Sequence, residues 1–173
     1  VFLMKVLVAT EKPFAANAVK AIKEEIEKAG HELVLLEKYT EKAQLLDAVK
    51  DVEAMIVRSD KITPDVMDAA PKLKIIVRAG AGYDSIDTAY AKEKGIIVEN
   101  TPGQNANAVA ELVLGLLVYA VRAFFNGKSG SELIGKKLGL LAFGNVGRNV
   151  ARIAKGFGME IYAYDAFCPS EVI

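Results

Sequence analysis

The sequence predicts a doubly wound α/β protein, with one parallel-sheet domain over residues 1–101 and the opening of a second over 102–173. Three observations predict it. Short apolar, β-branched runs alternate with helical runs from Lys5 to Val98. Each connection is long enough for a helix, and such connections join parallel strands. Two chain breakers, Pro102 and Gly103, then precede a second β–α–β pattern.

The elements follow in order. Lys5–Ala9 is a buried-strand run, and Ala15–Ala29 is a helix with Ala18, Ala21, Ile22, Ile26 and Ala29 at helical spacing; Gly30 marks its stop. Glu32–Leu36 is the second strand, Ala43–Val49 a short helix and Ala54–Val57 the third strand. Thr63-Pro64-Asp65 opens a helix, because Thr caps and Pro is tolerated at the first helical position. Leu73–Val77 and Ile96–Val98 are strands flanking a helix over Ser85–Lys94 that Gly95 ends. Five strands with right-handed crossovers make a flavodoxin-like or Rossmann-like domain, whose ligands gather beyond the carboxyl ends of the strands. That rule selects the loops Thr10–Phe14, Arg58–Asp60, Arg78–Asp84 and Asn100–Gln104. A long apolar helix is expected over Asn105–Phe125, then a strand Leu138–Ala142, a helix Asn145–Phe157 and a strand Glu160–Tyr164.

Composition limits the function classes. Lys plus Arg and Asp plus Glu are 22 each, so no net field is available to hold nucleic acid or an anionic membrane. No run reaches transmembrane length; the most apolar stretch carries Glu111 and Arg122 and reads as a buried helix. Val1–Leu3 is too short for a signal sequence and reads as a remnant ahead of a natural start at Met4. The one cysteine, Cys168, has no disulfide partner and no zinc-ligand spacing, which fits a cytoplasmic protein with an inert thiol and no metal. Glu24 and Glu25 read as solvated charge on an exposed helix face.

The chemistry-bearing motif lies between Leu138 and Asp165. A strand runs into Ala142-x-Gly144-x-x-Gly147, a variant of the GxGxxG dinucleotide fingerprint. Gly144 would let backbone approach a pyrophosphate, Gly147 would let helix pack on strand, and the amides of Asn145 and Val146 would face the anion at the helix start. Ala142 replaces the first glycine and is acceptable if its φ is negative. Asp165 ends the next strand, where a carboxylate bonds a ribose 2′-hydroxyl and repels a 2′-phosphate. Ala166 and Phe167 follow it with no arginine beside them, so the cofactor expected is NAD. The plainer reading is an ordinary βαβ turn with a capping aspartate.

In the first domain, Arg58-Ser59 and Arg78-Ala79-Gly80-Ala81-Gly82 each follow a strand. Two guanidiniums and free amides in a tight glycine loop suit an anionic small-molecule substrate. The competing reading pairs Arg58 and Arg78 with Asp60, Asp84 or Asp87 as structural ion pairs. His31, between Gly30 and a strand, reads as a surface residue and not as a base.

Arg78–Asp87, Asn100–Gly103 with Ala108–Leu112, and Gly139–Gly147 with Tyr164-Asp165 together resemble the D-2-hydroxyacid dehydrogenase family. Within it the chain is most similar to the branch acting on D-3-phosphoglycerate, chiefly through Val57-Arg58-Ser59 and Val77–Gly80. The resemblance implies NAD-linked oxidation of a 2-hydroxy acid, D-3-phosphoglycerate to 3-phosphohydroxypyruvate in serine biosynthesis. It assigns Arg58, Ser59, Arg78, Gly80, Ala81 and Gly82 to substrate, and Ala81, Gly144, Asn145, Val146, Gly147 and Asp165 to cofactor. Ala81 departs from the family's Thr or Ser, which removes a side-chain bond, and Asn145 stands where a basic residue is common. The family's catalytic His, Glu and Arg lie further along the chain than residue 173, so none is assigned here and the chain alone is expected to be an inactive, truncated form. Two alternatives are a non-catalytic NAD-binding sensor or scaffold, and a stand-alone flavodoxin-like domain over residues 4–100 that leaves Gly144, Gly147 and Asp165 unexplained. The region 105–125 carries more apolar surface than one small domain needs, and in the family it contributes to a homodimer contact.

Overall fold

The computed structural model describes residues 3–169 and 171. It consists of two compact units, Val1–Pro102 and Gly103–Ile173.

The first unit is a five-stranded sheet of β1 (Lys5–Thr10), β2 (Glu32–Glu37), β3 (Ala54–Val57), β4 (Ile75–Arg78) and β5 (Ile97–Asn100). The strand order is β2-β1-β3-β4-β5 and every pairing is parallel. This is the flavodoxin-like order, with its topological switch between β1 and β3. The strands are nearly continuous apolar runs because helices cover the sheet. Leu7, Met55 and Ile76 are fully buried at its centre, each contributing about 1.5–3 kcal/mol of transfer free energy.

The helices are α1 (Ala16–Lys28), α2 (Lys42–Ala48), α3 (Pro64–Asp68) and α4 (Thr88–Glu93). Their ends follow local chemistry. Glu41 and Gln44 form a reciprocal capping box on α2, and the Asp87 carboxylate accepts the Tyr90 N–H at 2.9 Å to start α4. Gly30 and Gly95, at φ 79° and 71°, close α1 and α4 in the left-handed conformation. Thr63 precedes Pro64 as expected, but its hydroxyl donates to Asp65 Oδ1 instead of capping the helix backbone.

The second unit pairs β6 (Lys137–Leu141) in parallel with β7 (Glu160–Tyr164) around α6 (Asn145–Gly156), with α5 (Ala106–Val121) packed on α6. Ala110, Leu114, Val150, Ala154 and Met159 form its core. The expected helix to Phe125 ends earlier, at Val121. Ala123, Phe124 and Phe125 instead take positive φ of 52°, 57° and 55°. Tertiary packing sets this end: the Ser131 N–H takes the Val121 carbonyl at 2.8 Å, and Gly130 crosses so close that a Cβ on it would lie 2.4 Å from that oxygen. Among the described residues no helix is long and apolar enough to cross a membrane.

Candidate functional site

Parallel pairing puts every carboxyl end of the first sheet on one edge. The register sets Val57 beside Arg78 and Arg78 beside Asn100. Arg58, Arg78 and Asn100 therefore emerge side by side from three adjacent strands. The loop after β4 is tight: Ala79 N–H donates to the Val57 carbonyl and Gly80 N–H to the Arg78 carbonyl, each at 2.8 Å. Gly80 has φ 154°, and a Cβ on it would lie 1.4 Å from Arg78 Nη1. The guanidinium thus lies directly over Gly80. Arg78 Nε is enclosed and has no hydrogen-bond partner among the described residues.

The ion-pair alternative does not form. No carboxylate lies within 4.0 Å of the Arg58 or Arg78 guanidinium among the described residues. Asp60 is buried and committed elsewhere, accepting Glu11 N–H at 2.8 Å, Tyr39 O–H at 2.7 Å and Arg58 N–H at 3.3 Å. This carboxylate ties the loops after β1, β2 and β3 together. The Tyr39 phenol is held well above its ordinary value, first by burial and then by the bond to Asp60. Sequence reasoning missed this network, because its residues are far apart and individually ordinary. A groove of about 400 Å³ lined by Glu11, Tyr39, Ser59 and Lys61 lies at the same β1–β3 switch. A larger one, about 570 Å³, runs along the edge strand β5 and contains neither arginine.

His31 is half-buried, not superficial, and its Nδ1 is enclosed without a partner. It immediately precedes β2, at the amino end of the sheet. The parallel topology puts it at the edge opposite Arg58 and Arg78, too far to serve groups bound there.

In the second unit, β6 leads through Ala142, Phe143 and Gly144 into α6, with Gly144 as its N-cap. The N–H groups of Asn145, Val146 and Gly147 begin the helix and have no acceptor within it. A Cβ on Gly144 would meet no protein atom within 4 Å and its φ is negative, so packing within the chain does not require a glycine there. Ala142 contradicts the condition set for it: its φ is 96°, positive and strained for alanine.

Asp165 is held by three backbone N–H groups, those of Phe143 at 2.7 Å, Phe167 at 2.8 Å and Cys168 at 2.9 Å. They hold its carboxyl below the ordinary 3.8, with a smaller contribution from Arg148. The fold therefore brings to Asp165 the arginine that its sequence neighbours lack. Arg148 also donates to Cys168 Sγ at 3.4 Å and to the Phe143 carbonyl at 2.9 Å. Among the described residues no cluster of three or more His, Cys, Asp or Glu is arranged to hold a metal ion.

The family model described as "D-isomer specific 2-hydroxyacid dehydrogenase, catalytic domain" matches residues 6–165. Hydroxypyruvate reductase from Thermotoga maritima is 45% identical over 152 residues, covering 80% of this chain and 50% of that protein. D-3-phosphoglycerate dehydrogenase from Methanocaldococcus jannaschii is 43% identical over 145 residues, covering 76% and 28%. The chain thus spans half or less of these curated relatives. The crystal structure of an NAD+-bound 3-phosphoglycerate dehydrogenase from Entamoeba histolytica superposes with a TM-score of 0.92 at 50% identity, over 98% of this chain and 56% of that one.

Proposed function

This chain belongs to the D-isomer specific 2-hydroxyacid dehydrogenases, and from that premise we propose that it is the N-terminal part of an NAD-linked enzyme oxidising D-3-phosphoglycerate to 3-phosphohydroxypyruvate in serine biosynthesis. The first unit is the substrate-binding domain and the second the opening of the NAD-binding domain.

The observation that carries the reading is the pair of uncompensated arginines beside a glycine loop. Arg58 follows β3 and Arg78 ends the adjacent β4, neither with a carboxylate partner among the described residues, and Arg78 Nε is unbonded. Arg58 is exposed and Arg78 half-buried, so both guanidiniums can be reached from solvent, and the enclosed, unbonded Arg78 Nε leaves hydrogen-bonding capacity that an arriving anion would use. D-3-phosphoglycerate offers a carboxylate and a phosphate, and the two arginines, Ser59 and the Gly80–Gly82 amides supply donors of the matching kind.

The second unit's residues fit a dinucleotide. Gly144 leaves open space, Gly147 allows the close strand–helix approach, and the Asn145 and Val146 amides at a helix start suit a pyrophosphate. Asp165 is a fixed carboxylate at the end of β7 with lone-pair capacity left on Oδ2 for a ribose hydroxyl. When bound there, NAD would supply the acceptor for a hydride leaving the substrate's C2.

The hydroxyl proton needs a base. The single histidine, His31, lies at the wrong end of the sheet. Residues 1–173 alone are therefore expected to show no turnover. The test is NAD reduction by the full-length protein with D-3-phosphoglycerate; turnover by residues 1–173 overturns the second claim, and none by the full-length protein overturns the first. The non-catalytic NAD-binding sensor or scaffold is the second reading; it needs no base, and His31 lies at the opposite edge of the sheet from Arg58 and Arg78. We also propose a cytoplasmic homodimer through the 105–125 region, where Leu112 and Leu116 are 63% and 56% exposed on one face of α5.

A further inference from the structure

We infer that Asn100 is a positioning residue that aims the backbone amides of Ala81 and Gly82 at the substrate carboxylate; this rests on the substrate reading of the glycine loop.

Two bonds from the carboxyl end of β5 grip two successive carbonyls of that loop. Thr101 N–H donates to the Gly80 carbonyl at 2.9 Å. The Asn100 side-chain amide donates to the Ala81 carbonyl at 2.6 Å, across 19 residues of sequence. Every peptide bond described is trans. In a planar trans peptide, C=O and N–H point in opposite directions. Tying the Gly80 carbonyl toward β5 therefore turns the Ala81 N–H away from β5. Tying the Ala81 carbonyl does the same for the Gly82 N–H. Neither N–H donates to any acceptor among the described residues. The result is a pair of consecutive free amides facing the same way, the arrangement that binds an anion.

The two tethers differ in kind. The Thr101 bond is backbone and survives any side-chain substitution except proline. The Asn100 bond depends on a side chain that both reaches the carbonyl and donates. Without it the Ala81–Gly82 peptide is free to rotate, since Gly82 resists rotation least of any residue type and Ala81 has no side-chain polar group to replace the bond. Asn100 is half-buried and leaves the sheet beside Arg78. One strand end thus sets the direction of the amides and the next supplies the guanidinium.

The experiment uses the full-length protein and compares binding of D-3-phosphoglycerate with that of its carboxamide by calorimetry. The wild type is expected to prefer the carboxylate. Asn100→Ala is expected to lower that preference about tenfold, the effect of misplacing a charged hydrogen bond, with NAD affinity and thermal stability retained. Asn100→Asp, which cannot donate when ionised and repels the Ala81 carbonyl, is expected to lower it further. If wild type and Asn100→Ala discriminate equally, the assignment of Asn100 fails. If the wild type shows no preference for the carboxylate, the substrate reading of the loop fails instead.

Discussion

A Cβ built on Gly147 would lie 2.4 Å from the carbonyl oxygen of Ala142. Backbone, not a movable side chain, blocks the position. Gly147→Ala must therefore push α6 away from the end of β6. We expect a loss of about 1–3 kcal/mol, the usual range for forced overpacking, read as a lower urea midpoint with unchanged slope.

Ala142 lies at φ 96°. Ala142→Gly removes a Cβ from a conformation that L residues disfavour by about 1–2 kcal/mol, while glycine adds chain entropy to the unfolded state. The net expectation is a gain of up to about 1 kcal/mol, measured in the same urea series. A loss on Ala142→Gly would show that the turn carries no strain.

Arg78→Lys keeps charge but not the planar fork. In the full-length protein we expect KM for D-3-phosphoglycerate to rise about 10- to 100-fold, as for loss of a charge-assisted bond, with NAD affinity unchanged. Equal KM values would remove Arg78 from the substrate site.

Asp165 titrates below the ordinary 3.8 because three N–H groups hold its charged form. A depressed folded-state value adds stability that is present above pH of about 4 and is lost as pH falls through the folded-state value. Asp165→Asn removes this dependence. Its urea stability, compared with wild type, should be lower at pH 7 and converge toward it near pH 2. A gap that is constant with pH would mean that the carboxylate charge is not what the three amides stabilise.

Leu116→Glu puts a charge on the exposed stripe of α5. A dimer using that stripe should weaken about 30-fold, the effect of losing a central contact. Sedimentation at micromolar concentration then gives monomer mass. A wild type already at monomer mass would overturn the dimer.

The sheet was legible because parallel strands covered on both faces leave continuous runs such as Val6–Ala9 and Ala54–Val57, and because Gly30 and Gly95, at positive φ, stop the helices that precede β2 and β5. Gly144 and Gly147 were legible because their tasks are local to one turn. The rest depends on contacts that no window of sequence contains. The stop of α5 at Val121 is made by Gly130 folding back, while the local run Val118–Phe125, apolar but for Arg122, holds no breaker. The tether from Asn100 to Ala81 exists only once β4 and β5 pair. The proximity of Arg148 to Asp165 requires α6 to lie over the end of β7, and the Asp60 bonds join three loops.

The five-stranded sheet closes within the first unit, every strand finding its neighbours before Pro102. On the ribosome, that unit can reach its final pairing while later residues are still being added. The β6–β7 pair instead relies on α5 and α6 for its cover, and Leu141 is 89% exposed. The two units thus differ in what their strands lean on: in the first each strand leans on neighbouring strands, in the second a single pair leans on helices.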